Sequence, residues 1–381
     1  MNTIVKTGSG GKTRDVEDGR AFGFLVALAL FNYAAGISFI ILFALVRSRF
    51  SIGNVDIPVA VMVVVKMLWL LSVALLYNDY SPYELLQLVA IDGMLLFTIL
   101  FRANAHFLGG MSYPLFALLA GDIAYNVWTI LTGADPQGRE VALRDDDVFL
   151  RLGGLLGSPF LSINISLIAV SLAVIVRNRF LFAAGVANIV ANGSLRGVLS
   201  LLVLGIVWLA IYRRVGVYRM LLLSAVLITA VFLGTVASIP YFEESTANYY
   251  RAFAWSNALD GIAEHPLLGN HGFYKGEILG ISEDTISEYG MAESSYLQYA
   301  LHFGVVPAIL YFLIFLRVFV RRLKRFYQTP NRSVDRASMV AASIAGYALI
   351  DTFYGTFIGS FVSTIFFGLL VFSYQKDRES V

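Results

Sequence analysis

"FLFAAGVANIVANGSLRGVLSLLVLGIVWLAIY", residues 180–212, is an apolar block with a polar interruption at its middle. A helix needs roughly 20 apolar residues to cross the hydrocarbon core. The block is therefore long for one upright span and short for two full ones. Asn192, Gly193, Ser194 and Arg196 supply the interruption. Two readings follow: one long tilted helix, or two short helices meeting at "SLRG". Broken helices at membrane depth are tolerated where they line a polar cavity.

The rest of the chain has the same solvent. Of 381 residues, 58% are hydrophobic and 14% charged, where a soluble protein carries about 25% charged residues. Mean hydropathy is +0.72. Further blocks near spanning length lie at about 21–46, 57–78, 84–101, 111–131, 159–176, 220–240, 295–316, 337–354 and 357–374. With no cysteine in the chain, disulfide and thiolate chemistry is excluded. The start, "MNTIVKTGSGGKTRDVEDGR", is polar and Gly-rich. It reads as a disordered tail over 1–19, not as a cleavable signal.

Charge asymmetry sets orientation, because short loops rich in Lys and Arg stay in the cytoplasm. Those loops are "RSRF" at 47–50, "RNR" at 177–179, "RRVGVYR" at 213–219 and "RVFVRRLKRFYQTPNRSVDR" at 317–336. With these inside, 78–84, 132–158 and 241–294 fall outside. The last stretch carries nine acids against Arg251 and Lys275. For 213–219 to be inside, 180–212 must cross twice or re-enter, so the broken reading is preferred and Arg196 lies near the outer face. The count is about 11 or 12 crossings, the higher number requiring a hairpin at Asn32-Tyr33. The expected architecture is an all-α integral membrane protein: one polytopic domain over 20–376, a long external loop at 241–294, and a cytoplasmic tail at 377–381. The basic run at 317–336 directly follows a helix and reads as an anchor to anionic headgroups, not as a nucleic-acid surface.

A loop as long as 241–294 usually carries function. Its first half has helical spacing: Ala252, Trp255, Ala258, Leu259 and Ile262 recur at three- and four-residue steps, which predicts a helix laid on the membrane domain. Pro266 stops that helix and "LLGNHG" turns the chain.

"RAFAWSNALDGIAEHPLLGNHGF" at 251–273 and "ESSYLQYALHFGVVPAILYF" at 293–312 together resemble the signature of the O-antigen polymerase and O-antigen ligase family (Wzy and WaaL types). "GSLRGVLSLL" at 193–202 is similar to the Ser-Arg-Gly motif that opens the family's shared domain. "RLGGLLGSPFLSINISL" at 151–167 resembles its upstream Arg-x-x-G…Pro element. The resemblance covers about 151–316. It implies a bacterial inner-membrane glycosyltransferase with a GT-C-like fold, working at the periplasmic face in cell-envelope polysaccharide biosynthesis. The implied donor is an oligosaccharide on undecaprenyl pyrophosphate. A polymerase passes it to another lipid-linked repeat unit, building O-antigen or exopolysaccharide; a ligase passes it to lipid A–core. A chain-length regulator and a flippase are the implied partners, with no nucleic acid.

Losing a lipid pyrophosphate from an anomeric carbon develops negative charge, which a metal or fixed cations must neutralise. "EDTISE" at 283–288 and "DDD" at 145–147 lack ligand spacing and read as solvated loops, so no metal or cofactor is expected. Arginine forks match phosphate oxygens, and outward-facing arginines are scarce. Arg151, Arg196 and Arg251 are the candidates. Their bland alternatives are local pairing in "RDDD" for Arg151, snorkelling or pairing with Asp122 or Asp351 for Arg196, and pairing with Glu243 or Glu244 for Arg251.

A general base would take the acceptor proton. In the ligase branch the position before "xSYL" is typically His; here it is Glu293. That departure favours polymerase over ligase and makes Glu293 the candidate base. Its alternative role is an acid at a helix N-terminus. His265, His271 and Tyr296 are candidate glycan contacts, as is Tyr274 in the same loop; His265 could equally shape its turn, and His302 reads as a packed histidine. Lys66, Asp92, Asp122 and Asp351 sit inside expected spans, where ionisable groups are functional or paired. The non-enzymatic alternative is a lipid-linked sugar flippase or transporter. Such a protein has little need of a large external loop, and more often shows two related halves.

Overall fold

In the computed structural model, the block at 180–212 is two helices. The structure describes residues 9–29, 33–50, 55–77, 82–133, 155–156, 159–192, 195–216, scattered positions between 218 and 229, and 247–269, 294–328, 336–352 and 361–373. Every named element is helical, and there is no strand among the described residues. An isolated antiparallel bridge joins Phe50 and Phe101. Among the described residues, two helices are long and apolar enough to cross a membrane, Ile57–Leu76 and Ala105–Thr132, and shorter apolar helices include Ala35–Val46, Val89–Leu100, Leu161–Val176 and Gly197–Tyr212. Apolar side chains such as Val61, Leu68, Leu75 and Leu131 are more than half exposed on the two long helices, as suits a lipid solvent.

The contacts divide the chain into two compact units, one of Met1–Asn54, Thr98–Leu199 and Ile365–Val381, the other of Val55–Phe97 and Ser200–Thr364. The first unit opens with α1 (Ser9–Leu28) and α2 (Tyr33–Val46). The block at 21–46 is thus interrupted at the position where a hairpin was one expectation. Residues 9–19 differ from expectation: they are the first half of α1, not a disordered tail. Long-range pairing explains the helix. Arg49 donates to Asp15 and Asp18, both at 2.6 Å, and Arg47 pairs with Asp18 at 3.3 Å. Burial works against the Arg49 charge, but the two carboxylates outweigh it and raise its pKa above the ordinary value. α1 lies on α5 (Ala105–Thr132), the backbones meeting at small residues. A Cβ on Gly19 would stand 1.9 Å from the Phe107 carbonyl oxygen, and one on Gly110 would stand 2.0 Å from that of Val16. Gly19 and Gly23 form a Gly-x-x-x-Gly ridge that admits this approach. Asn104 caps α5 by accepting from the Phe107 N–H at 2.8 Å.

α6 (Pro159–Val176) and α7 (Arg179–Ala191) pack on α5 and on each other. α7 ends at Ala191 with Asn192 as its cap, and α8 (Leu195–Tyr212) follows. "SLRG" therefore straddles the start of a new helix.

In the second unit, α3 (Ile57–Tyr77) packs on α11 (Val305–Gln328), and α11 on α12 (Arg336–Asp351). α4 (Pro82–Leu100) follows α3 in sequence. α9 (Ala247–Glu264) and α10 (Ser295–Phe303) pack together, and α13 (Phe361–Gly368) passes into a π-turn at Leu369–Ser373. Part of the basic run expected to anchor to headgroups is instead tied to Asp56, which accepts from Arg317 at 3.0 Å and Arg321 at 2.6 Å.

Candidate functional site

α9 is the helix predicted at the start of the 241–294 stretch, and it ends two residues before Pro266, as proline requires. Its buried stripe differs slightly from the predicted one. Ala254, Trp255 and Ala258 are buried while Leu259 is exposed. Trp255 and Ala258 form a cluster with Leu301 of α10, flanked by Ile262 and Leu297.

The chain then turns through His265-Pro266-Leu267-Leu268-Gly269 onto the kink between α10 and α11. The Val305 N–H donates to the Pro266 carbonyl at 2.8 Å, and the Gly269 N–H donates to the His265 carbonyl at 3.0 Å. Gly269 and Gly304 both have left-handed φ, +75° and +83°. A Cβ on Gly269 would meet the His302 carbonyl oxygen at 2.3 Å, and one on Gly304 the Leu267 carbonyl oxygen at 1.8 Å. Two glycines, one on each segment, let the turn and the kink touch backbone to backbone. Trp69 of α3 donates its indole N–H to the Phe303 carbonyl at 2.9 Å, fixing the kink from another direction.

α10 is held at both ends. Ser294 caps it, accepting from the Leu297 N–H at 3.4 Å. The Ser295 N–H and the Ser294 hydroxyl both donate to the Thr352 carbonyl, at 3.1 and 3.3 Å. Tyr296 is buried, its ring edge-on to Tyr311 and Phe312 at 5.8 and 6.0 Å. Beneath lies the pairing that sequence left open: Lys66 of α3 donates to both Asp92 oxygens of α4, at 2.9 and 2.8 Å, fully buried. The ammonium also sits 4.0 Å from the Tyr299 ring and 4.7 Å from that of Tyr311. The carboxylate and two π-faces together offset the desolvation of this charge. Asp351 accepts from Tyr347 at 2.9 Å.

A second polar cluster, within the first unit, surrounds Asp122 of α5. Asp122 accepts from the Ser162 hydroxyl of α6, from Asn188 of α7 at 2.9 Å and from the Leu156 N–H at 3.4 Å. Asn188 also donates to the Ser162 and Ser166 hydroxyl oxygens at 2.9 and 3.0 Å, and Asn192 donates to Ser162. Asp122, Ser162, Ser166, Asn188 and Asn192 are all fully buried. This network pins the C-terminus of α7, immediately before Gly193-Ser194-Leu195-Arg196, to the segment that begins at Leu156. The sequence reading did not single out Ser162, Ser166 or Asn188 and took Asn192 only as part of the break; the four-residue spacings of Ser162 with Ser166 and of Asn188 with Asn192 on apolar helices were the available signal.

Arg196 is the second residue of α8 and Arg251 the fifth of α9. Arg196 belongs to the first unit, and Arg251, His265 and Tyr296 belong to the second. His265 is exposed and its backbone shapes the turn. Arg151, His271, Tyr274, Glu293 and the two acidic runs lie outside the described residues. His302 is buried, its ring near that of Phe303.

The described residues are helical, two of the helices being long and apolar enough to cross a membrane, and a helix with a glycine-bearing turn docks against apolar helices. Residues 180–312 match the family model described as O-antigen ligase. The match begins at α7, takes in the "SLRG" break, α9 and its turn, and ends within α11. No curated protein matches the chain.

Proposed function

We propose that the protein is a multi-pass polysaccharide polymerase that elongates a lipid-linked glycan at the periplasmic face. The observation that carries this reading is the family match over 180–312, which contains the "SLRG" break, Arg251, the "HPLLG" turn and Glu293 in one stretch.

In the proposed step, the terminal sugar hydroxyl of one lipid-linked repeat unit attacks the anomeric carbon of the donor glycan. A new glycosidic C–O bond forms as the bond from that carbon to the pyrophosphate oxygen breaks. Undecaprenyl pyrophosphate leaves with the electron pair, and the acceptor proton passes to the Glu293 carboxylate. Arg196 and Arg251, with Arg151, carry the positive charge that stabilises the departing diphosphate. His265, His271 and Tyr296 belong to the glycan-handling part of the same proposal. Direct displacement inverts the anomeric centre, and charge stabilisation by arginine makes the reaction independent of metal.

A ligase that transfers the glycan to lipid A–core is the second reading, favoured by the description of the matching family. Glu293 in place of the ligase branch's His is what argues for the polymerase. A deletion strain separates them. Single repeat units left on the lipid anchor support the polymerase; accumulated lipid-linked polymer with none on lipid A–core supports the ligase. Purified protein that moves lipid-linked sugar across liposomes without lengthening it would make it a flippase.

A further inference from the structure

A cavity of about 500 Å³ opens in the first unit where α1 and α5 meet the α6–α7 loop, lined by Ser112, Tyr113, Arg177, Asn178, Arg179 and Phe180, among others. Its charged lining is cationic. Arg177 and Arg179 are exposed, and neither has an acidic partner among the described residues. A third cation, Arg20, lies over the Tyr113 ring at 4.6 Å. Beside the arginines the surface is apolar and open, Phe180 being 79% and Tyr113 56% exposed.

The backbone adds a second observation. Arg177 has φ +58°, a left-handed conformation that glycine or asparagine adopts at lower cost. The loop closes through the Asn178 N–H donating to the Ala173 carbonyl at 3.0 Å, which no arginine side chain is needed to form. An arginine held there against its conformational preference points to a use for its side chain. By charge asymmetry "RNR" is a cytoplasmic loop, so the cavity lies at the level of the inner-leaflet headgroups.

We propose that this cavity is a binding site for the headgroup of an anionic phospholipid. The phosphodiester meets the Arg177 and Arg179 guanidinium groups, and the acyl chains lie along Phe180 and Tyr113. Two arginines, an adjoining apolar surface and a position at the headgroup level suit a lipid better than a soluble anion, which has no use for the apolar side. The proposal rests on the membrane orientation above, but not on the polymerase reading, and binding is measured without any turnover.

The test uses the full chain in phosphatidylcholine nanodiscs containing a small fraction of phosphatidylglycerol, with native mass spectrometry reading the retained lipid. The key variant is R177G/R179A, since glycine fits φ +58° without strain and both charges are removed while the turn is kept. At about 1 kcal/mol for each basic residue near the membrane surface, affinity for phosphatidylglycerol should fall about 30-fold. R177K/R179K should retain binding within a few-fold, and Arg213→Ala, at an exposed arginine that does not line the cavity, should leave it unchanged. Wild-type retention in a folded R177G/R179A protein overturns the proposal. So does displacement of the lipid by millimolar inorganic phosphate, which would make this a soluble-anion site.

Discussion

The Val305 N–H donates to the Pro266 carbonyl at 2.8 Å, fastening the turn after α9 to the kink between α10 and α11. The contact is possible because Gly269 and Gly304 leave room for it, each with a backbone conformation that other residues rarely take. Gly304→Ala is expected to destabilise by more than about 1 kcal/mol, because it adds both φ strain and a backbone clash. Trypsin cleavage at Arg251 should rise in both Gly269→Ala and Gly304→Ala, as α9 undocks. Unchanged melting temperature and unchanged cleavage would contradict the docking.

Lys66 and Asp92 form a fully buried ion pair beneath α10. Removing one partner strands a charge, so Lys66→Met or Asp92→Leu alone should cost about 3–5 kcal/mol. The double variant K66M/D92L should recover much of that loss. A thermal-unfolding cycle in detergent reads the coupling, and simple additivity of the two losses would contradict the pairing.

Asp56 gives a pH dependence of known sign. Burial alone would raise its pKa, but hydrogen bonds and charge from Arg321 and Arg317 reverse this and hold it below the ordinary aspartate value. A carboxylate with a depressed folded-state pKa contributes stability above its unfolded pKa of about 3.9 and loses it as pH falls through the folded value. The difference in melting temperature between wild type and Asp56→Asn should therefore be constant from about pH 5 to 7 and shrink below about pH 4. A difference that grows on acidification would contradict the assignment.

Asp122 gathers the donors that pin the end of α7. Asp122→Leu leaves Asn188 and Ser162 short of a buried acceptor, costing about 1–3 kcal/mol for each orphaned group. Asp122→Asn keeps one acceptor oxygen and should lose less. The comparison is made by melting temperature and by hydrogen exchange at 188–192, where protection should fall in the leucine variant. Equal behaviour of the two variants would argue against a network centred on the carboxylate.

Local patterns were legible in the sequence, and pairings between distant segments were not. Asn192-Gly193-Ser194 marked the break in the apolar block, and Pro266 marked the end of α9, because each acts on its own backbone. The stripe on α9 was legible as a period but not fully in phase: Trp255 sets which neighbours are buried, and Ala254 takes the place given to Leu259. Residues 9–19 looked like a tail because the partners of Asp15 and Asp18 lie at Arg47 and Arg49. Lys66 and Asp92 were each visible as costly residues in a span, yet their meeting depends on how α3 and α4 pack. For the site, the motif gave the residue types and order, with Arg196 at a helix start and Arg251 in α9. The arrangement of Arg151, His271 and Glu293 depends on segments outside the described residues, where local pattern carries no geometry.

The central claim, arginine-assisted glycan transfer, is tested most directly with purified protein, a defined undecaprenyl-pyrophosphate oligosaccharide and EDTA. Wild type should lengthen the glycan in EDTA. Arg196→Ala and Arg251→Ala should each lose about 100-fold or more in rate, the usual effect of removing a group that stabilises transition-state charge, and Glu293→Gln should retain donor binding but lose the rise in rate with pH that deprotonation of a general base gives. Full activity in all three folded variants, or abolition of wild-type activity by EDTA, would contradict the account.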